Sequence, residues 1–403
     1  PAGREVRQQS VRPVAAPSFE ATSWDEQVEE LLQQISPTAE CDHVVAQLAQ
    51  AVKQALQGLF QEAEVTGFAG ADLVHGVAFA VAVPEVDIVV SASPQVLAAR
   101  LHVQGRLQPR AGRASPSTPL DMRKLQKSAI RACTDRLVSK GGFKFRRSAF
   151  RDLEPKVTLL APVALGIFSE AVPINFSVNS TTPLYNAALL AECGQLEPRA
   201  RSLILLVKRW AKDRGICHSA KGFLSPYSWA LLTIYFLQVG LPDEGPLLPP
   251  LAGLRLAPGL EGFPRVAAAV VAGHRAGGAG TCRLVEGPRS SVGLLFGDFA
   301  RFYGEAFDWQ REAVSVRLGQ PGPPQPRLPL HLLFHEDGRP PEVGPSIEDP
   351  FEQQRNLGAC TTSATLKRMR EALPRHGLGQ GMHRACSAGP RPAVRLQLAT
   401  AAT

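Results

Sequence analysis

The period-two, strand-like runs of this 403-residue chain are confined to Gly67–Val178, and apolar residues on either side recur at helical spacing. A chain so ordered must build one sheet and pack helices against it, which predicts an α+β fold with a helical lobe on the C-terminal side. Ser23 with Glu26 three residues on forms a capping box, and Val28, Leu31, Leu32 and Ile35 mark one helix face. Ser36 and Pro37 suit the N-cap and N1 positions of a second helix, carried by Val44, Val45, Leu48, Val52, Leu56, Leu59 and Phe60 to about Glu62.

Glycines 67, 70 and 76 then precede V-A-F-A-V-A-V-P-E-V-D-I-V-V (Val77 to Val90), which predicts two short strands. A helix from about Pro94, an insertion over 108–119 and a basic helix over 120–140 follow. Strands return in F-K-F-R-R, at Lys156–Pro162 and at Ala171–Val178. From Tyr185 the spacing is helical, with Gly- and Pro-rich loops over 240–288, around one short alanine-rich helix, and over 317–344. Residues 1–22 are expected to form a disordered arm and 377–403 a flexible tail. Between them lie 23–66 as helices of the helical lobe, 67–180 as the sheet domain and 181–376 as the main helical domain.

With 44% hydrophobic and 20% charged residues, the chain is neither disordered nor fibrous as a whole. No apolar stretch approaches the roughly 18 residues that a membrane span needs. Seven cysteines without Cys-x-x-Cys spacing argue against a disulfide framework or a structural zinc site, and for a reducing, intracellular compartment. The cytoplasm is the first expectation and an organelle stays open, because the opening P-A-G-R-E-V-R has arginines but no apolar run. The net charge of +8 is concentrated: residues 100–151 hold 14 Lys or Arg against Asp121 and Asp135. Arg123, Lys124, Lys127 and Arg131 on the basic helix, with Lys144, Arg146 and Arg147 on the strand after it, make nucleic acid the expected polyanion. A solvated basic face is the alternative.

Glu85 and Asp87, two apart on a strand, present both carboxylates to one side and make a metal site conceivable. Downstream run N-A-A-L-L-A-E-C-G-Q-L-E-P-R-A-R-S-L-I-L-L-V-K-R-W-A-K-D-R-G-I (Asn186 to Ile216), G-F-L-S-P-Y-S-W-A-L-L-T-I-Y-F-L-Q (Gly222 to Gln238) and P-S-I-E-D-P-F-E-Q-Q-R-N-L-G (Pro345 to Gly358). In this order and spacing, over roughly Ser23 to Gly377, the chain resembles the non-canonical poly(A) polymerase and terminal uridylyltransferase family of the DNA polymerase beta-like nucleotidyltransferases.

The resemblance implies a nucleotidyltransferase palm, a mixed sheet with helices, packed against a larger all-helical PAP-associated domain. It implies template-independent addition of UMP or AMP, from UTP or ATP, to RNA 3′ ends with two Mg²⁺ or Mn²⁺ ions. In such chemistry the ions activate the attacking hydroxyl and offset charge on the departing pyrophosphate. By motif, Glu85 and Asp87 take the first two metal-ligand positions and Asn175 the third catalytic one. Lys208 and Lys212 fall where paired lysines grip the triphosphate, and Tyr227 where a tyrosine stacks on the base. Asn179 also matches a nucleotide-site position. Asp349 and Glu352 match residues that face the base, and Arg355 stands where a histidine favours uracil.

Several positions depart from that pattern. The chain has E-V-D for D-x-D, Asn175 for an aspartate, Pro226 for a serine and Ala187 for a threonine. Its nearest counterparts to the phosphate-binding Gly-Ser pair are Gly70-Ala71 and His75-Gly76, neither with a hydroxyl. Asn175 can hydrogen-bond but cannot serve as an anionic base, a role worth typically about 10² to 10⁴-fold. The alternative is therefore a catalytically degenerate relative that binds RNA or partner proteins in an RNA-processing complex.

Overall fold

The computed structural model describes residues 19–70, 86–105, 121–150, 154–167, 171–241, 244–252, 290–335 and 338–373. Glu85, the expected tail, the alanine-rich helix, His75-Gly76 and most of the expected arm lie outside the described residues. The last residues of that arm are tied down, since the Glu20 and Ala21 amides donate to the Glu30 carboxylate at 3.1 and 2.8 Å.

Helix α1 spans Trp24–Ile35, where the Ser23 hydroxyl accepts from the Glu26 amide and donates to its carboxylate. Helix α2 spans Ala39–Leu56 and is capped by the Thr38 hydroxyl, not by Ser36, which ends α1 instead. Thr38 wins because its hydroxyl reaches the Cys41 amide, the geometry of an N-cap. The two helices part company in packing. Val28, Leu31, Leu32 and Ile35 of α1 join the core of the helical lobe, whereas Val44, Val45, Leu48 and Val52 of α2 join the core under the sheet. The sequence assigns both helices to the helical lobe; α2 belongs with the palm because its apolar stripe covers the sheet.

The sheet runs β1 (Glu64–Ala69), β2 (Val86–Ser91), β5 (Val172–Val178), β4 (Lys156–Ala161), β3 (Lys144–Ala149) across its width. Only β2 and β5 are parallel, and every other neighbour is antiparallel. The strand that pairs antiparallel with Val86–Ser91 is Glu64–Ala69, and the first of the two strands expected in the valine-rich run lies outside the described residues. The connection from β2 to β5 carries helices α3 (Pro94–Val103) and α4 (Met122–Lys140). Val86, Ile88, Val90, Val157, Leu159, Ala161, Ile174, Phe176 and Val178 face these helices and α2 in one core. The period of two therefore turns Asp87, Thr158 and Asn175 to the opposite face.

The helical lobe contains α5 (Thr182–Leu196), α6 (Pro198–Asp213), α7 (Pro226–Val239), α8 (Val292–Arg301) and α9 (Ser363–Ala372). Helix α7 is apolar all round and its residues Tyr227–Gln238 are all buried, so it is the axle of the lobe. Its start is set by the Ser225 hydroxyl, which accepts from the Ser228 amide at 3.0 Å, and by Pro226 at N1. Strands too short for a periodic signature also occur here: β6 (Ala313–Val314) pairs with β9 (Ser346–Ile347), and β7 (Leu332–Leu333) with β8 (Glu342–Val343). No helix among the described residues is long and apolar enough to cross a membrane.

Gly67 sets how closely α2 approaches the sheet. A Cβ there would lie 2.5 Å from Val45 Cγ1 and 3.0 Å from the Val45 carbonyl oxygen. Gly67→Ala is expected to cost about 1–3 kcal/mol in urea denaturation, by overpacking. Gly297→Ala in α8, where nothing lies within 4 Å, is expected to stabilise by about 0.5–1 kcal/mol through helix propensity. Equal effects of the two would remove the steric argument.

Candidate active site

The face of the sheet turned away from α2, α3 and α4 is organised by register. Asp87 lies opposite Asn175, Asn175 opposite Thr158, and Thr158 opposite Arg147. Arg147 reaches this face because a bulge between Phe145 and Arg147 shifts the strand by one residue, and a bulge re-aims every side chain after it. The Asn175 carboxamide stands between two neighbours: it lies opposite Asp87 in the strand register, and its oxygen accepts from the Thr158 hydroxyl at 3.4 Å. Arg147 donates from Nε to Thr158 at 3.2 Å and from Nη1 to His218 Nε2 at 3.0 Å. His218 precedes α7, so this row bridges sheet and helical lobe. Burial first, then Arg147, Lys221 and Lys156, press His218 down to about 4, leaving it neutral and able to accept.

Burial raises Asp87 above the usual carboxylate range, opposed by Lys156, by the Asn175 hydrogen bond, and by Lys212 and Lys208. Lys208 and Lys212, four apart on α6, are both buried. Lys208 Nζ crosses to the sheet domain and donates to the Gly70 carbonyl at 3.2 Å.

A second polar cluster joins the sheet domain to the helical lobe at the segment 349–355. The segment 349–355 folds back on itself, with the Asp349 amide donating to the Arg355 carbonyl and the Arg355 amide to the Glu352 carbonyl. This turn gathers Asp349, Glu352 and Arg355 on one spot. Arg355 Nη1 lies 3.1 Å from Thr182 Oγ1 and 3.4 Å from both Glu154 Oε1 and Asp349 Oδ2. Glu154 belongs to the connection between β3 and β4 and also accepts from the Ser180 hydroxyl and the Thr182 amide. Tyr227 donates to Asp349 at 3.3 Å, and Tyr185 to Glu352 at 3.3 Å while its ring stacks on Phe351 at 4.2 Å. Burial lifts the Tyr227 phenol well above its ordinary range, with Asp349 adding to the effect.

No family model matches the chain. It is 32% identical over 149 residues to poly(A) RNA polymerase GLD2 of Mus musculus, covering 36% of this chain and 28% of that protein. It is 26% identical over 222 residues to terminal uridylyltransferase 7 of Homo sapiens, covering 53% of this chain and 14% of that one. The matched stretch thus spans little more than a quarter of the first relative's length. The fold matches Cid1 poly(U) polymerase, in a mutant bound to MgATP, with a TM-score of 0.56 over 93% of this chain and 98% of that one, at 19% identity. The chain is a relative of the non-canonical poly(A) polymerases and terminal uridylyltransferases.

Against the pattern of that family, the cleft divides in two. Lys208, Lys212, Tyr227, Asp349, Glu352 and Arg355 all belong to the helical lobe. On the described part of the sheet, this row carries one carboxylate, Asp87, opposite the Asn175 amide, and Glu85 lies outside the described residues. Among the described residues no three His, Cys, Asp or Glu side chains gather in a way that could hold a metal ion.

Asn179, expected at the nucleotide, is occupied elsewhere. It adopts a left-handed backbone with φ of 50°. Its amide accepts from the Ala92 N–H at 2.9 Å and donates to the Ala92 carbonyl at 2.8 Å. That two-pronged clamp fixes the end of β2 against the end of β5.

The basic residues expected to bind RNA are split between two faces. Lys144 and Arg147 share the cleft face, whereas Arg123, Lys124, Lys127 and Arg131 ride on α4, which packs against the other. Sequence reasoning missed Glu154, Lys156, Thr158, Thr182 and His218. The alternation in K-V-T sets Lys156 and Thr158 on one strand face, but the register that brings them to Asn175 has no local signal.

Burial holds Asp349 at about 6, against the pull of Arg355 and two backbone amides. The folded chain therefore binds this proton more tightly than the unfolded one, whose aspartates titrate near 3.9. The resulting stability is complete below pH 4 and is lost as pH rises through 6. Urea denaturation between pH 4.5 and 7 should show wild-type stability falling relative to Asp349→Asn, by roughly 1–3 kcal/mol in all. A difference that is flat in pH would mean that Asp349 is charged throughout.

Proposed function

We propose that the protein binds a nucleoside triphosphate and an RNA 3′ end in the cleft, and that nucleotidyl transfer has been weakened or lost. The observation that carries this reading is the Asp87–Asn175 pair: where the resemblance calls for a third carboxylate, an amide stands opposite Asp87 in the strand register. The helical lobe supports retention of nucleotide binding. Lys208 and Lys212 supply fixed positive charge for the triphosphate, and Tyr227, held through Asp349, presents a buried ring edge to the base position. Binding of UTP or ATP by relatives supports the same step, since Cid1 has been solved with MgATP and mtPAP with UTP. Lys144 and Arg147, on the cleft face of the sheet, suit the backbone of an RNA 3′ end. On this reading the chain serves as the RNA-binding subunit of an RNA-processing assembly.

A second reading, active transfer of UMP or AMP, is favoured by one observation. Asp87 keeps its place on the central strand, with Lys156, Lys208 and Lys212 close enough to act on its charge. In that case Glu85 and Asp87 would hold Mg²⁺ or Mn²⁺, whose chemistry is activation of the 3′-hydroxyl and stabilisation of the leaving pyrophosphate.

Asn175→Asp separates the readings. The wild type should bind labelled UTP or ATP with an affinity that changes less than about threefold on chelation of divalent cations, and should extend single-stranded RNA negligibly. Asn175→Asp should gain a Mg²⁺-dependent rise in thermal midpoint and raise extension at least about a hundredfold. Robust extension by the wild type that disappears in Asp87→Ala would establish the second reading instead.

A further inference from the structure

The palm face turned away from the cleft carries a surface that nucleotide chemistry does not use. β3 is the terminal strand of the sheet, so among the described residues one of its edges has no neighbouring strand. Phe145 on this strand lies opposite Leu159, which packs into the helix-side core, so Phe145 points toward α4 rather than the cleft. It is nevertheless 52% exposed, and Val138 of α4 is 42% exposed. With Thr134, Phe150 and Val157 these two line a hollow of about 360 Å³ between α4 and β3. The Arg131 guanidinium stands 4.9 Å over the Phe150 ring at its wall. Lys140 and Arg146 are exposed on the two elements that flank the hollow, against a single lining acid, Asp135.

We propose that this edge and hollow dock an extended acidic segment of a partner protein, which adds a strand to β3 and seats one apolar side chain among Val138, Phe145 and Phe150. Three features fit such an occupant together. An unpaired edge offers backbone donors and acceptors to a new strand, and the hollow selects a side chain at alternate positions. The surrounding cations choose the charge of the partner. Lysines and arginines on an edge strand also repel a second copy of the same edge, so self-pairing is disfavoured while an acidic strand is attracted. An RNA strand would leave the backbone edge unused and bring its phosphates toward Asp135. The proposal is independent of what happens in the cleft.

The test is fluorescence anisotropy with two labelled peptides of about ten residues, one alternating Glu with Val and Leu, the other with Lys in place of Glu, beside a labelled single-stranded RNA. The acidic peptide is expected to bind at least about tenfold more tightly than the basic one. Phe145→Ser with Val138→Ser should weaken it about tenfold, and Arg146→Glu should weaken it independently of the hollow. A far-ultraviolet circular dichroism spectrum identical to the wild type separates loss of docking from loss of fold. Hydrogen exchange should slow at alternate β3 amides when the acidic peptide is bound. Equal binding of both peptides, absence of binding, or binding without protection of β3 overturns the proposal. RNA binding that is lost in the Phe145/Val138 variant would hand the surface to nucleic acid.

Discussion

The parallel pairing of β2 with β5 is the constraint on which the rest of this molecule depends. Two parallel neighbours cannot be joined by a hairpin and need a crossover of a dozen or more residues. Here the crossover carries α3, α4, β3 and β4, and its helices lie with α2 on one face of the sheet. The opposite face is thereby left to the helical lobe. Because β2 and β5 are adjacent and in register, Asp87 and Asn175 meet at the centre of that face, and Thr158 and Arg147 extend the row. A shift of one residue in either strand would exchange every side chain of the row for its core-facing neighbours.

The second constraint is the closure of the cleft by charge. Arg355, a half-buried guanidinium, needs partners for its donors, and they come from three parts of the chain: Glu154 from the sheet domain, Thr182 from the start of α5, and Asp349 from its own loop. An isolated charge at such a site would be strongly unfavourable, so the network is stable only when both lobes contribute. Fixing the approach of the lobes at Arg355 at one end, and at Arg147–His218 and Lys208–Gly70 elsewhere, leaves Tyr227 and the lysines of α6 poised over the sheet. The charge that organises the cleft is therefore also what holds it together.

Much of the fold was legible, because its signals are local. Ser23, the stripe of α1, the valine alternation of β2 and the apolar run of α7 each announce their element within a dozen residues. Helix α2 was legible as a helix but not in its allegiance, since an apolar stripe does not say which surface it covers. Its cap was misread because Ser36-Pro37 and Thr38 both offer good start chemistry, and only the three-dimensional reach to Cys41 decides. At the site, Asp87, Lys208, Lys212 and Tyr227 could be singled out by motif, but their neighbours could not. Glu154 and Thr158 act through pairings at sequence separations that no periodicity records. Asn179 shows the converse error, a polar residue at a motif position whose amide is spent on the Ala92 backbone.

What the chain keeps and what it replaces are not scattered evenly. The replacement that the described residues show stands on the sheet, where Asn175 takes the place of an anionic oxygen; Lys208, Lys212, Tyr227 and Asp349 stand on the helical lobe. These halves answer to different physics. Holding a triphosphate needs positive charge without close tolerances, and on the proposed reading Lys208 and Lys212, beside the buried Tyr227–Asp349 pair, would supply it. Transfer needs anionic oxygens placed to within about an ångström, and misplacement of that size can cost about a hundredfold in rate. An amide at Asn175 leaves the first requirement untouched and fails the second, because it adds a donor where an anion would be needed. It also relieves Asp87: a second carboxylate beside a buried one would raise its cost further, whereas the amide hydrogen bond lowers it. The sheet is thus consistent with a protein whose cleft is stable in the absence of bound cations, as a binding platform requires and a two-ion centre does not.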